Sequence, residues 1–216
     1  MCKWEYKGIY KNYNMVGIID LPNNSKVQVC DLILNMPPFM KNADVLFIDP
    51  PCSQGNLTSF YTKADKRNLN TFDIFYKSLF KRIDDSNPDL LFLEVFKSNF
   101  DVFLTNCKLR YEFVYIYDSF YYKNKKNKCW ILQCSNKIKK FYEEINNIDE
   151  EAIIKWICKN IDFKCIGDLC MGRGLVGKYA YLNDKSFVGT ELNPKRLAVL
   201  IDFINNNRGN YDLFAD

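Results

Sequence analysis

Apolar residues along the chain follow two periods, one of strands and one of helices. ADVLFIDPP (43–51) is a near-continuous apolar run that stops at a Pro pair, the pattern of a strand buried on both faces. DLLFLEVF (89–96) repeats it. Between them, FDIFYKSLFKRI (72–83) sets Phe72, Phe75, Tyr76, Leu79, Phe80 and Ile83 on one helical face. KVQVCDL (26–32) reads as a short strand, and SNFDVFLTNCKL (98–109) as a helix with an Asn or Ser cap. YEFVYIYDSFYY (111–122) and KCWILQC (128–134), joined by the turn KNKKN, read as an antiparallel pair at a sheet edge. An acidic linker (143–151) leads to a helix over 152–160. A strand (164–170) then enters a Gly turn, followed by a helix (174–182), a strand (186–192) and a helix (194–206) with Pro in its first turn. This β-α-β order predicts an α/β domain spanning 1–216, with a parallel sheet covered on both faces. Residues 1–24 form an extension without a readable pattern. Residues 52–70 are polar, lack periodicity, and read as a long loop, functional or mobile, on the target side.

Composition narrows the classes. The 216 residues are 48% hydrophobic and 26% charged, which suits a globular domain rather than a disordered chain. No apolar run of membrane-spanning length occurs, and the first residues show no apolar signal segment, so neither a membrane nor export is expected. Nine cysteines without a CxxC pair point to reduced thiols in the cytoplasm, against a disulfide framework or a zinc knuckle. Histidine is absent, which excludes an imidazole base, a Ser-His-Asp triad and a His-ligated metal; no metal is expected. The net charge of +4 is unevenly placed, with nine Lys/Arg against three acids over 101–140 and seven acids against three Lys over 141–170. Such polarity fits an anionic partner, nucleic acid being the common case, or two solvated faces.

Two constellations carry chemistry. In Asp168-Leu-Cys170-Met-Gly172-Arg-Gly174, a strand passes through a Gly turn into a helix, and Glu191 ends the next strand. Glycines there allow a tight turn and close approach of a ligand, and the acid can take ribose hydroxyls. The alternative is an ordinary βα turn beside a surface Glu. Glu191 has no evident basic companion and the turn lacks a third Gly at dinucleotide spacing, which favours a nucleoside cofactor without a pyrophosphate. Asp49-Pro50-Pro51 closes a central strand, where α/β sheets bind ligands. There the stiff Pro pair can aim a carbonyl and the Asp49 carboxylate at one spot, or it merely terminates the strand.

DLCMGRGLVG followed by SFVGTELNPKRL resembles motifs I and II of the S-adenosylmethionine-dependent nucleic-acid amino-methyltransferases, and VQVCDL with ADVLFIDPP resembles their motif III acid and motif IV. Asp-Pro-Pro precedes the Gly turn, as in the permuted, β-type members. The resemblance covers about residues 25–205. It implies a Rossmann-like, doubly wound, seven-stranded sheet, mostly parallel with an antiparallel edge pair, in circularly permuted motif order. It further implies S-adenosyl-L-methionine as cofactor, with Gly172 and Gly174 at its methionine end and Asp168 and Cys170 shaping that turn. Glu191 would hold the ribose and Asp31 the adenine amino group. For these to meet, strand 186–191, helix 194–206 and strand 26–31 must be spatial neighbours. Asp49, Pro50 and Pro51 would hold an exocyclic base amine toward the methyl group, orientation and electrostatics supplying the rate. The implied reaction is methylation of DNA in preference to RNA, at adenine N6 ahead of cytosine N4.

Cys52 stands where that family has a ring that stacks on a flipped base, so Phe60 or Tyr61 is expected to substitute. Glu150 and Glu151 replace the family's motif X Lys-Pro. Pro-Pro-Cys also resembles the nucleophile motif of cytosine-C5 methyltransferases, in which Cys52 would attack the base and Glu94 would support it. A third reading is an inactive nucleic-acid-binding subunit. Lys63, Lys66, Arg67, Lys125, Lys126 and Lys128 are the expected phosphate contacts. No separate target-recognition domain fits within the chain, so loops, a homodimer or a recognition subunit would supply specificity.

Overall fold

The computed structural model describes residues 3–206. The chain runs through β1 (Ile18–Leu21), β2 (Ser25–Val29), β3 (Val45–Ile48), α1 (Gln54–Lys63), α2 (Phe72–Ser86), β4 (Leu90–Val95) and α3 (Phe100–Lys108). It continues with β5 (Phe113–Phe120), β6 (Lys128–Ser135), β7 (Ile148–Asp149), α4 (Glu150–Asn160), β8 (Cys165–Asp168), α5 (Leu175–Leu182), β9 (Ser186–Glu191) and α6 (Pro194–Asn206). All strands join one mixed sheet in the order β1-β2-β9-β8-β3-β4-β6-β5-β7. The five strands from β2 to β4 in that order run parallel to one another, and β6 is antiparallel to both β4 and β5.

Side-chain alternation along the strands splits the core in two. Val45, Phe47, Leu90, Phe92 and Ile166 face α4, α5 and α6, meeting Ile153, Ile157, Val176, Leu197 and Leu200. Leu46, Ile48, Leu91, Leu93 and Val95 face α1, α2 and α3, meeting Leu57, Phe75, Leu79, Phe80 and Phe103. Burying each such side chain contributes about 1.5–3 kcal/mol, so both faces of the sheet are driven to acquire helices. Residues far apart in sequence meet as expected: β9 and β2 lie side by side with Val29 opposite Glu191, and the Cys30 amide donates to the Glu191 carbonyl at 2.9 Å.

Three expectations are corrected. Among the described residues the sheet has nine strands rather than seven. β1 comes from the stretch without a readable pattern and pairs with β2 across a turn in which Asn23 and Asn24 take left-handed φ of 57° and 56°. The two-residue β7 borders β5 and is too short to leave a period. The stretch 52–70 is not one long loop but holds α1, started by Ser53, whose Oγ accepts from the Asn56 amide at 3.3 Å. Only Leu57 and Tyr61 of that helix are buried, one turn apart, so its apolar stripe is two residues wide. The acidic linker contributes β7 and the first turn of α4, which Asp149 caps through the Ala152 amide at 3.3 Å. Among the described residues no helix is long and apolar enough to cross a membrane.

Candidate active site

Strands that end on one rim of a parallel sheet aim their last side chains at a common space. Here β2, β9, β8 and β3 lead to Asp31, Glu191, Asp168 and Asp49. All four line a single cleft of about 1100 Å³. Pro50, Pro51, Cys52, Phe60, Tyr61, Lys63, Cys170 and Gly172 line it too.

The turn after β8 is held by backbone bonds. Asp168 Oδ1 accepts from the Cys170 amide at 2.8 Å, and the Met171 amide donates to Thr190 O of β9 at 3.0 Å. Gly172 and Gly174 take φ of 55° and 83°, in the left-handed region where a Cβ is costly. Gly174 is also needed for packing, since a Cβ there would fall 2.6 Å from Leu200 Cβ of α6. Glu191 turns back over this loop: its Oε1 accepts from the Asn193 amide at 2.9 Å, and the amides of Gly172 and Leu192 also face it. Burial raises the pKa of Asp168, Glu191 and the Cys170 thiol.

Glu191 does have a basic companion, contrary to the expectation from sequence. Arg196, in the first turn of α6, points back along the helix toward its N-terminus, as helical side chains do. A Cβ on Gly172 would lie 2.8 Å from its Nη2, and its Cζ lies 5.1 Å from the Phe60 ring centroid. Its charge faces Glu191, Tyr121 and Asp49, while its buried Nε has no hydrogen-bond partner.

Across the cleft, Tyr61 is buried, and its hydroxyl lies 2.8 Å from both carboxylate oxygens of Asp31. Of the two rings expected there, Tyr61 is buried and tied to Asp31 by its hydroxyl. Phe60 remains in the cleft, between Lys63 (Nζ 5.5 Å from its centroid) and Arg196. Asp49 accepts from the Tyr121 hydroxyl at 3.2 Å, and burial pushes its carboxyl up to about 6. Cys52 Sγ donates to Asn56 Oδ1 at 2.5 Å. Glu94 does not reach the cleft wall as a partner for Cys52. It is fully buried as the penultimate residue of β4, beside the Cys129 thiol, and its oxygens have no other hydrogen-bond partner among the described residues.

Lys66, Arg67, Lys125, Lys126 and Lys128 are exposed and lie outside the cleft lining. Lys123 does line it and pairs with Glu151 at 2.9 Å. Sequence reasoning missed Arg196, Tyr121 and Glu150 as cleft residues. Only Arg196 had a usable signal, its place one turn after the Glu191 strand end.

No protein-family profile matches the chain, and no curated protein sequence is similar to it. Solved structures are similar. M1.HpyAVI in its complex with SAM superposes at a TM-score of 0.57 with 11% identity, over 82% of this chain and 98% of that one. TTHA0409 from Thermus thermophilus, a putative DNA modification methylase complexed with S-adenosyl-L-methionine, gives 0.58 with 12% identity, over 86% and 95%. At such identities the likeness is one of fold: the chain has a mixed α/β, Rossmann-like methyltransferase fold.

Proposed function

We propose that the chain is an S-adenosylmethionine-dependent DNA methyltransferase acting on an exocyclic base nitrogen, with adenine N6 as the first choice of acceptor. One observation carries this reading: Asp49 and the Gly172/Glu191 turn, from distant parts of the chain, face the same cleft. Fold likeness to two structures solved with that cofactor supports it. The strand order supports a permuted arrangement, since β3 with its Asp-Pro-Pro lies directly beside β8 with its Gly turn.

The residues fit the cofactor. Arg196 has a buried, unpartnered Nε that a carboxylate would satisfy, and Glu191 and Asp31 offer acceptors for ribose hydroxyls and an adenine amine. Asp168 and Cys170 shape the turn at its methionine end, with Gly172 and Gly174. When bound, the cofactor's sulfonium supplies an electrophilic methyl group. The protein's part is orientation. Asp49 and the neighbouring backbone carbonyl accept the two hydrogens of the target amine, which turns the nitrogen lone pair into the cleft. Tyr121 holds Asp49 in place through its hydroxyl. Phe60 is the ring available to a flipped base, and the exposed Lys66, Arg67, Lys125, Lys126 and Lys128 are the proposed phosphate contacts. Glu94 is buried behind Asp49 and Glu150 and does not itself line the cleft, which disfavours the cytosine-C5 reading, in which it would touch the base.

The test is incubation of the purified chain with labelled cofactor and mixed DNA and RNA, followed by nucleoside mass analysis. The expected product is N6-methyladenine in DNA, reduced at least about 100-fold by Asp49→Ala with cofactor binding retained. N4-methylcytosine would change the target atom. 5-Methylcytosine, or no product, would overturn the reading.

A further inference from the structure

Behind the cleft, three carboxylates converge from three separate elements. Asp49 follows β3, Glu94 is the penultimate residue of β4 and Glu150 begins α4. One oxygen from each lies within 4.8 Å of the other two. Glu94 is the decisive member: it is fully buried, its oxygens have no hydrogen-bond partner among the described residues beyond the neighbouring Cys129 thiol, and one of them lies within the group. A buried carboxylate is costly, and two more acids beside it raise the cost, so Glu94 either holds its proton or shares a cation with its neighbours.

We propose that Asp49, Glu94 and Glu150 form a binding site for one hard divalent cation. Ions of this class bind oxygens at roughly 2.0–2.6 Å, so two oxygens on opposite sides of one ion stand about 4–5 Å apart. The observed spacing meets that requirement. All three donors are carboxylate oxygens, which selects Mg²⁺, Ca²⁺ or Mn²⁺ over zinc, and waters complete the coordination. Asp49 and Glu150 line the open cleft, so the ion enters from there and meets Glu94 at the back. The pattern is invisible along the sequence because the three acids are scattered over a hundred residues of chain. Under the methyltransferase reading the ion and the target amine compete for Asp49, so Mn²⁺ slows the reaction. That consequence rests on the reading, whereas binding of the ion does not.

Titration of the full chain with Mn²⁺, followed by loss of the free-ion electron paramagnetic resonance signal, tests the site. The expected result is one ion per chain, displaced by excess Ca²⁺ or Mg²⁺, with affinity at least 10-fold lower in Glu94→Gln and in Glu150→Gln. Asp73→Asn, an exposed acid on α2, leaves it unchanged. Absence of stoichiometric binding by the wild-type chain at millimolar Mn²⁺ overturns the proposal, as does wild-type affinity in both folded variants. Should Glu94→Gln fail to fold, Tb³⁺ emission excited through Tyr121, which contacts Asp49, replaces it. Emission that survives Tyr121→Phe unchanged places the ion elsewhere.

Discussion

Tyr61 and Asp31, thirty residues apart, are joined by one hydroxyl that stands 2.8 Å from each oxygen of the carboxylate. The Ile33 amide adds a further donor to Asp31 Oδ1 at 3.1 Å. The contact ties α1 to the Asp31 side of the cleft, which the proposed function gives to the cofactor, although its place after the Asp-Pro-Pro segment predicts that it faces the target. A hydrogen bond to a charged group contributes about 1.5–3 kcal/mol. Tyr61→Phe, which keeps the ring and removes the hydroxyl, is therefore expected to weaken S-adenosylmethionine binding by about 10-fold or more. Calorimetric titration of the variant checks this; an unchanged affinity would place the adenine away from Asp31.

The two glycines of the turn make different demands. Gly174 combines a left-handed φ of 83° with backbone packed against α6, where Leu200 leaves no room for a methyl group. Gly174→Ala should cost about 2–4 kcal/mol, a sum of overpacking and left-handed strain, read as a lowered denaturation midpoint. At Gly172 the obstacle is the end of a flexible side chain, Arg196 Nη2. Gly172→Ala should therefore displace the guanidinium and lower cofactor affinity more than it lowers stability. Equal losses of stability in the two variants would contradict this division.

Legibility in the sequence follows the strength of the period. β3 and β4 announce themselves because every residue is buried, and α2 because its stripe of Phe75, Leu79, Phe80 and Ile83 is continuous. α1 stays hidden because two buried positions among Gly, Thr and Ser do not make a period. The acids at the strand ends can be read because strand termini are visible in sequence and the sheet then brings them together. Arg196 can be placed on α6 but not over Gly172, since that contact depends on how α6 packs against the turn. Glu94 reads as a cleft residue because it sits at a strand end, but its depth is set by β6, whose Ile131 lies opposite it.

Cys52 separates the two kinds of base chemistry. Its thiol is engaged with Asn56 Oδ1, and the Cys52 carbonyl accepts from Ser98 Oγ at 2.9 Å, so the residue is held by its backbone as well as its side chain. Amino methylation needs no thiolate. Cys52→Ala is expected to retain turnover within a few-fold of wild type, with no covalent adduct trapped on a mechanism-based cytosine analogue. Complete loss of turnover together with loss of a trapped adduct would move the assignment to C5 chemistry.

Glu191 should carry a conflict between stability and binding. Burial raises its pKa above the ordinary value, and Asp168 is shifted the same way; Arg196 and the surrounding amides offset this only in part. The folded chain thus holds these protons more tightly than the unfolded chain. Their stabilising contribution is full in acid, below the unfolded carboxylate range near pH 4, and is lost as pH rises through the folded values. Glu191→Gln keeps an acceptor for the Asn193 amide but carries no charge. Without ligand, the variant is expected to melt higher than wild type at pH 7–8, with the difference shrinking toward pH 4. Its affinity for S-adenosylmethionine should nevertheless fall about 10-fold, because a neutral amide is a poorer acceptor for paired ribose hydroxyls. Melting curves across pH with and without cofactor measure both effects, and a variant less stable than wild type at pH 7–8 would show that the Arg196 attraction outweighs the burial cost.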